Sequence, residues 1–196
     1  PVTRVYNWIN TDVFHPYENV MKSDFGLDDN KFTIICSGAS WHSNDVKGQD
    51  LLKLAESIED DMQILLVGKA EEEIRHEKIV KAGFTNNTET LAKMYSISDA
   101  YVHFSTADTF GKVIAEAMAC GVPAVVYNTT ACPELVSEGC GAAVELHNIE
   151  QLKKELKIIK DNGKDFYYTQ CKNRVSSSFN YEKNVAQTLE IYKNLI

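Results

Sequence analysis

Five short apolar runs set the rhythm of this chain: FTIICS at 32–37, MQILLV at 62–67, AYVHFS at 100–105, PAVVY at 123–127 and AAVEL at 142–146. They are rich in β-branched and aromatic residues, and none alternates strictly between apolar and polar. A strand with one wet face would alternate, so these runs predict parallel strands covered on both faces. A weaker strand is expected at 79–84. Between the runs the apolar spacing turns helical: Leu51, Leu54, Ala55 and Ile58 share one face, as do Leu91, Met94 and Tyr95. Residues 113–119 are strong helix formers that stop before Gly121 and Pro123, as a helix end should.

Strand and helix alternate at least four times, which predicts an α/β fold, a Rossmann-like parallel sheet with helices on both faces. From 148 to 196 the pattern is helical without a convincing strand, and Val185, Leu189, Tyr192 and Ile196 form one apolar stripe. Residues 1–24 lack periodicity and read as a connecting segment ahead of a single domain at 25–196. No repeat or low-complexity stretch interrupts it.

Composition narrows the partners. Hydrophobic residues make up 44% of the 196 and charged residues 24%, enough apolar material for a sizeable core. A net charge of −8 argues against nucleic acid, while leaving room for a small anion in a locally positive pocket. The five cysteines (Cys36, Cys120, Cys132, Cys140, Cys171) are odd in number and form no C-x-x-C pair, which fits a reducing, cytoplasmic compartment. No run approaches the ~20 apolar residues of a membrane span. The chain opens on Pro1 rather than methionine, so a piece of a longer protein is expected.

In open α/β sheets ligands bind beyond the carboxyl ends of the strands. The segment there with the most chemistry is STADTFGKVIAEAMACGVPAVVYNTTACP at 105–133. A strand runs into a loop carrying Asp108, Phe110-Gly111 opens a helix, and Glu116 follows inside it. The free N–H groups of Gly111, Lys112 and Val113 at such a helix start attract a phosphate, and Gly111 lets it approach closely. Carboxylates beside an anion site are poor phosphate ligands but good acceptors for the hydroxyls of a sugar or a ribose. Phosphate between two carboxylates suggests a nucleotide sugar. Taken singly, Glu116 reads equally well as a surface acid paired with Lys112 at i, i+4, and Asp108 as a helix cap.

The pattern D-T-F-G-K-V-I-A-E-A-M-A-C-G-V-P-A resembles the E-x7-E signature of the retaining glycosyltransferases of the GT-B fold, the glycosyltransferase group 1 family. The likeness extends to NWINTDVF at 7–14, VKGQDLL at 46–52, LLVGKA at 65–70 and PELV at 133–136. It implies the C-terminal, donor-binding half of such an enzyme. The intact enzyme would move a hexosyl group from a UDP- or GDP-linked sugar to a glycan or lipid-linked acceptor, with no metal cofactor. A second domain for the acceptor is implied too, with peripheral attachment at the inner membrane face through it. Carried over, Asp108 holds sugar hydroxyls and Glu116 the ribose. The backbone of Phe110, Gly111, Lys112 and Val113 meets sugar and diphosphate, and Lys47, near Gly38, neutralises the leaving group. The base lies after the middle strand, around Phe84 and Thr85.

Two positions depart from the family. Asp108 is one methylene shorter than the usual Glu. Gly38 is followed by Ala39 where an Arg is common, leaving His42 as a weak stand-in for the second cation, a role often worth several kcal/mol. Five further residues have plain readings: Gly68 serves a tight turn, His103 is a satisfied core histidine, and Cys132, Cys140 and His147 match no zinc template. The alternatives to a transferase are a nucleotide-sugar epimerase of the same fold and a non-catalytic nucleotide-binding module.

Overall fold

The computed structural model describes residues 3–137 and 139–194. The first two positions of the connecting segment and Ile196 of the apolar stripe lie outside the described residues. Six parallel strands form one sheet in the order β3-β2-β1-β4-β5-β6. They are β1 (Phe32–Trp41), β2 (Met62–Ala70), β3 (Ile79–Gly83), β4 (Ala100–His103), β5 (Ala124–Tyr127) and β6 (Gly141–Val144). The helices are α1 (Val46–Ser57), α2 (Thr88–Ser96), α3 (Lys112–Ala119), α4 (Cys132–Leu135), α5 (Ile149–Asn162), α6 (Lys164–Ser178) and α7 (Tyr181–Lys193).

Strand order fixes where the helices go. From β1 the chain steps to β2 and β3 in one direction, then crosses to β4 and continues through β5 and β6 in the other. Right-handed crossovers therefore put α1 on one face and α2, α3 and α4 on the opposite face. The packing agrees: α1 meets α5, whereas α3 meets α2, α4 and α6. The reversal between β1 and β4 opens a crevice beyond their carboxyl ends, where sheets of this kind take ligands.

All the expected strands are present, with corrected ends. β1 runs four residues past the 32–37 expectation, because a register shift between Ser37 and Ser40 lets it continue beside β2 to Trp41. The strands expected at 100–105 and 142–146 are shorter, ending at His103 and Val144. Ile34, Ile35 and Cys36 of β1 and Ile64, Leu65 and Leu66 of β2 are fully buried, as apolar runs covered on both faces require. β3 is the half-exposed edge strand, which explains its weak signal. Gly68 sits inside β2 rather than in a turn. A Cβ there would lie 2.1 Å from the Gly38 carbonyl oxygen, so close strand approach requires the glycine.

The head of the chain is not loose. The Ile9 N–H donates to the Phe179 carbonyl at 2.9 Å and the Asn184 side chain donates to the Tyr6 carbonyl at 3.0 Å, tying the head to the junction of α6 and α7. Ile9 and Phe14 are buried. Of the α7 stripe, Leu189 and Tyr192 are exposed. Among the described residues no helix is long and apolar enough to cross a membrane.

Candidate functional site

Three segments build the rim of the crevice. The first is the end of β1 with the start of α1. Asp45 caps α1, accepting from the Gly48 N–H at 2.6 Å. A Cβ on Gly48 would lie 1.9 Å from the His42 carbonyl oxygen, so the glycine lets the loop fold over the first turn of the helix. Lys47 is thereby aimed back over the strand ends. Its ammonium donates to the Ser40 carbonyl at 2.5 Å and lies 4.2 Å from the centre of the Trp41 ring, a cation–π contact. Trp41 is itself fixed by donating to the Val67 carbonyl at 3.0 Å. A side chain at Gly38 would meet the Lys47 ammonium at 3.2 Å, so the glycine keeps that charge accessible. Partial burial lowers the Lys47 pKa, and the charges of Asp45 and Asp108 oppose the shift.

The second segment is the start of α3. Helices α1, α2, α5 and α7 are capped by Asp45, Asn87, Asn148 and Asn180 side chains. α3, like α4 and α6, starts without a side-chain cap, and is preceded by Gly111 in the left-handed region (φ 78°). Its first N–H groups carry the positive end of the helix dipole and can meet an anion. Asp108 therefore does not cap the helix. The Phe110 ring packs edge-on to Phe179, with centroids 5.3 Å apart, so this buried side chain anchors the loop. Lys112 is exposed and Val113 half-buried.

The two acids sit in opposite environments. Glu116 is only 7% exposed, too buried for a surface acid paired with Lys112, whose ammonium is 4.0 Å away. Among the described residues no hydrogen-bond donor reaches its carboxylate, and burial pushes its pKa up. Asp108 is held below the usual carboxylate range, first by a hydrogen bond from His103 and further by Ser105 and the Lys47 charge.

His103 is buried and is the site residue that sequence reasoning missed. Its Nε2 lies 2.5 Å from the Asp108 carboxylate and its Nδ1 3.0 Å from the Tyr101 hydroxyl. The Tyr101 hydroxyl lies 3.2 Å from Ser37 Oγ, which lies 3.1 Å from the Tyr95 hydroxyl. The available signal was the placement of Tyr101 and His103 two residues apart, hence on one face of β4, just before the acid-bearing loop.

The remaining candidates divide. Lys47 and Asp108 come together, with Gly38 under the ammonium, and a cavity of about 270 Å³ opens beside them between Asp45, Lys47, Phe104 and Thr106. Phe84 and Thr85 follow the edge strand β3 rather than a middle one. The Phe84 ring is half exposed, with the Lys69 ammonium 5.7 Å from its centre. His42 is turned to Glu71 at 2.7 Å. Cys140 lies against Ser137 and Cys171, and His147 against Asp50, so the Cys132, Cys140 and His147 trio is divided among separate partners. Among the described residues the groups close enough to share an ion are His103, Asp108 and Cys132. Burial raises the Cys132 pKa, and both Lys47 and the α3 N-terminus favour an anion over a cation at this point.

Relatives bear on the site once its geometry is known. The chain is 25% identical over its whole length to N-acetyl-alpha-D-glucosaminyl L-malate synthase of Bacillus anthracis, spanning 54% of that protein. It is 30% identical, over 55% of its length, to O-antigen chain mannosyltransferase B of Escherichia coli, covering 28% of it. In fold it is similar to Anabaena HepE, solved in complex with UDP, with a TM-score of 0.82 at 20% identity over 97% of this chain and 57% of that one. It also resembles the C-terminal domain of the group 1 glycosyl transferase LpcC of Francisella tularensis, with a TM-score of 0.70 at 19% identity over 88% and 98% of the two chains. Residues 19–175 match the family described as Glycosyl transferases group 1, and the chain belongs to that family.

Proposed function

We propose that this chain is the donor-binding half of a retaining glycosyltransferase that moves a hexosyl group from a nucleotide diphosphate sugar to a glycan or lipid-linked acceptor. The observation that carries the proposal is the uncapped start of α3, near the Lys47 ammonium and flanked by two carboxylates whose pKa values are shifted in opposite directions. The diphosphate sits on the N–H groups of Gly111, Lys112 and Val113, with Lys47 leaving its resting place on the Ser40 carbonyl to reach it. As the glycosidic bond breaks, charge develops on the leaving diphosphate. A fixed helix terminus and a partly desolvated ammonium stabilise that charge more than they stabilise the ground state. Lys47 is the one cation assigned to this task. The departure at Ala39 leaves no arginine there, and His42 is committed to Glu71.

Asp108, ionised, accepts from sugar hydroxyls. Glu116 accepts from the ribose, which supplies the donors its carboxylate lacks within the protein. The Phe84 ring follows β3, three strands from the β4 that leads into α3, about 14 Å across the sheet, a span that lets a base stack there while its diphosphate rests at α3. No metal is assigned a role. An acceptor and any general base would come from another domain, so donor binding without turnover is expected of this chain. The UDP complexes of HepE and the mannosyltransferase among the relatives support the substrate class.

Calorimetric titration with UDP, GDP, ADP and their sugar conjugates tests the reading. Asp108→Ala should weaken the sugar nucleotide and spare the free nucleotide. Equal affinities for both ligands in wild type and variant would favour a non-catalytic nucleotide-binding module.

A further inference from the structure

We propose that His103 is a positioning residue for donor-sugar recognition, holding Asp108 through a hydrogen-bond relay that begins inside the core. The inference rests on the assignment of Asp108 to the sugar. An ionised carboxylate can only accept, so His103 Nε2–H donates to it. In the neutral ring Nδ1 is then an acceptor, and the Tyr101 hydroxyl donates to it. One direction of donation satisfies the rest: Tyr95 to Ser37, Ser37 to Tyr101, Tyr101 to His103. Tyr95 and Tyr101 are fully buried, and burial holds both phenols in their protonated, donating form.

The relay joins four elements across the switch point of the sheet. Tyr95 comes from α2, Ser37 from β1, Tyr101 and His103 from β4, and Asp108 from the loop before α3. It fixes the tautomer and ring plane of His103, and His103 fixes the carboxylate. An aspartate reaches less far than a glutamate and would otherwise swing on an exposed loop. With one oxygen on His103 and Ser105 close by, the Asp108 carboxylate is held in one orientation with acceptor capacity left for a sugar hydroxyl. A sugar hydroxyl is then recognised without first ordering the side chain.

The test uses His103→Leu, His103→Gln, Asp108→Asn and the Asp108→Asn/His103→Leu double variant. Each is titrated calorimetrically with whichever nucleotide and sugar nucleotide the wild type binds among UDP, GDP and ADP and their glucose or mannose conjugates. His103→Leu should lose roughly tenfold in affinity for the sugar nucleotide, the worth of one hydrogen bond to a charged group, and leave the free nucleotide within about twofold. His103→Gln, which can still donate, should recover most of the loss. The double variant should be no weaker than Asp108→Asn alone. If Asp108→Asn is selectively impaired but His103→Leu binds like wild type, the positioning role is overturned and the donor-site reading stands. Parallel loss of both ligands in His103→Leu, unrescued by Gln, would make His103 structural only. Absence of nucleotide binding by wild type, or of any selective effect at Asp108, overturns both readings together.

Discussion

The two ends of the sheet differ in how their carboxylates are met. At the amino end, nearly every charge has a partner. Asp99 accepts from the Lys22 ammonium and the Thr33 N–H, each at 2.7 Å, and Lys160 joins Glu59 and Asp61. The half-buried Lys164 ammonium, at the uncapped start of α6, donates to the Ser96 carbonyl at 2.6 Å. At the carboxyl end, among the described residues, a buried carboxylate is reached by no hydrogen-bond donor, and an ammonium rests on a carbonyl and a ring with no carboxylate in contact. Unmet hydrogen-bonding capacity in a folded protein costs stability. The buried Glu116 carboxylate and the part-buried Lys47 ammonium bring such capacity together at the end where the strand order reverses.

The largest test of this contrast is at the amino end. Asp99→Ala strands Lys22 and the Thr33 N–H, and should destabilise the fold by about 2 kcal/mol in urea unfolding. Nucleotide affinity of the folded protein should not change. Lys47→Ala should do the reverse, lowering diphosphate affinity by roughly 10- to 100-fold with little change in the unfolding midpoint. Equal stability losses in the two variants would erase the distinction between the ends.

Glu116→Gln sharpens the contrast further. The folded-state pKa of Glu116 is raised, so above the unfolded value near 4.5 the native state holds the proton more tightly. Stability therefore falls as pH rises from there through the folded pKa, and at neutral pH the ionised side chain is a cost. The Gln variant should gain about 1 kcal/mol at pH 7 and lose that pH slope while binding nucleotide more weakly. Denaturant midpoints between pH 4 and 8 check this; a less stable variant at pH 7 would mean that the carboxylate is satisfied within the fold. The smallest effect concerns Thr130, held at φ 52° in the loop whose Ala131 N–H donates to the Asp108 carbonyl. Thr130→Gly should relieve that strain and be neutral to ~1 kcal/mol stabilising; a clear loss in thermal unfolding would show that the threonine side chain supports the loop.

How much of this was legible in the sequence follows the same division. MQILLV and PAVVY announce central strands because burial on both faces leaves no polar positions. The last residues of β1, Gly38 to Trp41, were not legible, since a strand continued through a register shift carries small and polar side chains. Edge strand β3 gave a faint signal for lack of a second covered face, and α4 is one turn long. At the site, Asp108, Gly111 and Glu116 stood out through their spacing around one helix start. His103 did not, because its meaning depends on Tyr95 and Ser37, which only the tertiary fold brings within hydrogen-bond reach. The resting contacts of Lys47 and the burial of Glu116 are likewise properties of packing rather than of motif.

The most direct test of the central claim is an amide-resolved NMR titration of the chain with UDP, GDP and ADP. The account predicts that one of them perturbs the amides of Gly111, Lys112 and Val113 most strongly, with Gly38 and the segment around Phe84 following, and that Lys47→Ala weakens the response. Saturable binding that leaves the start of α3 unperturbed, or no response to any nucleotide at millimolar concentration, would contradict it.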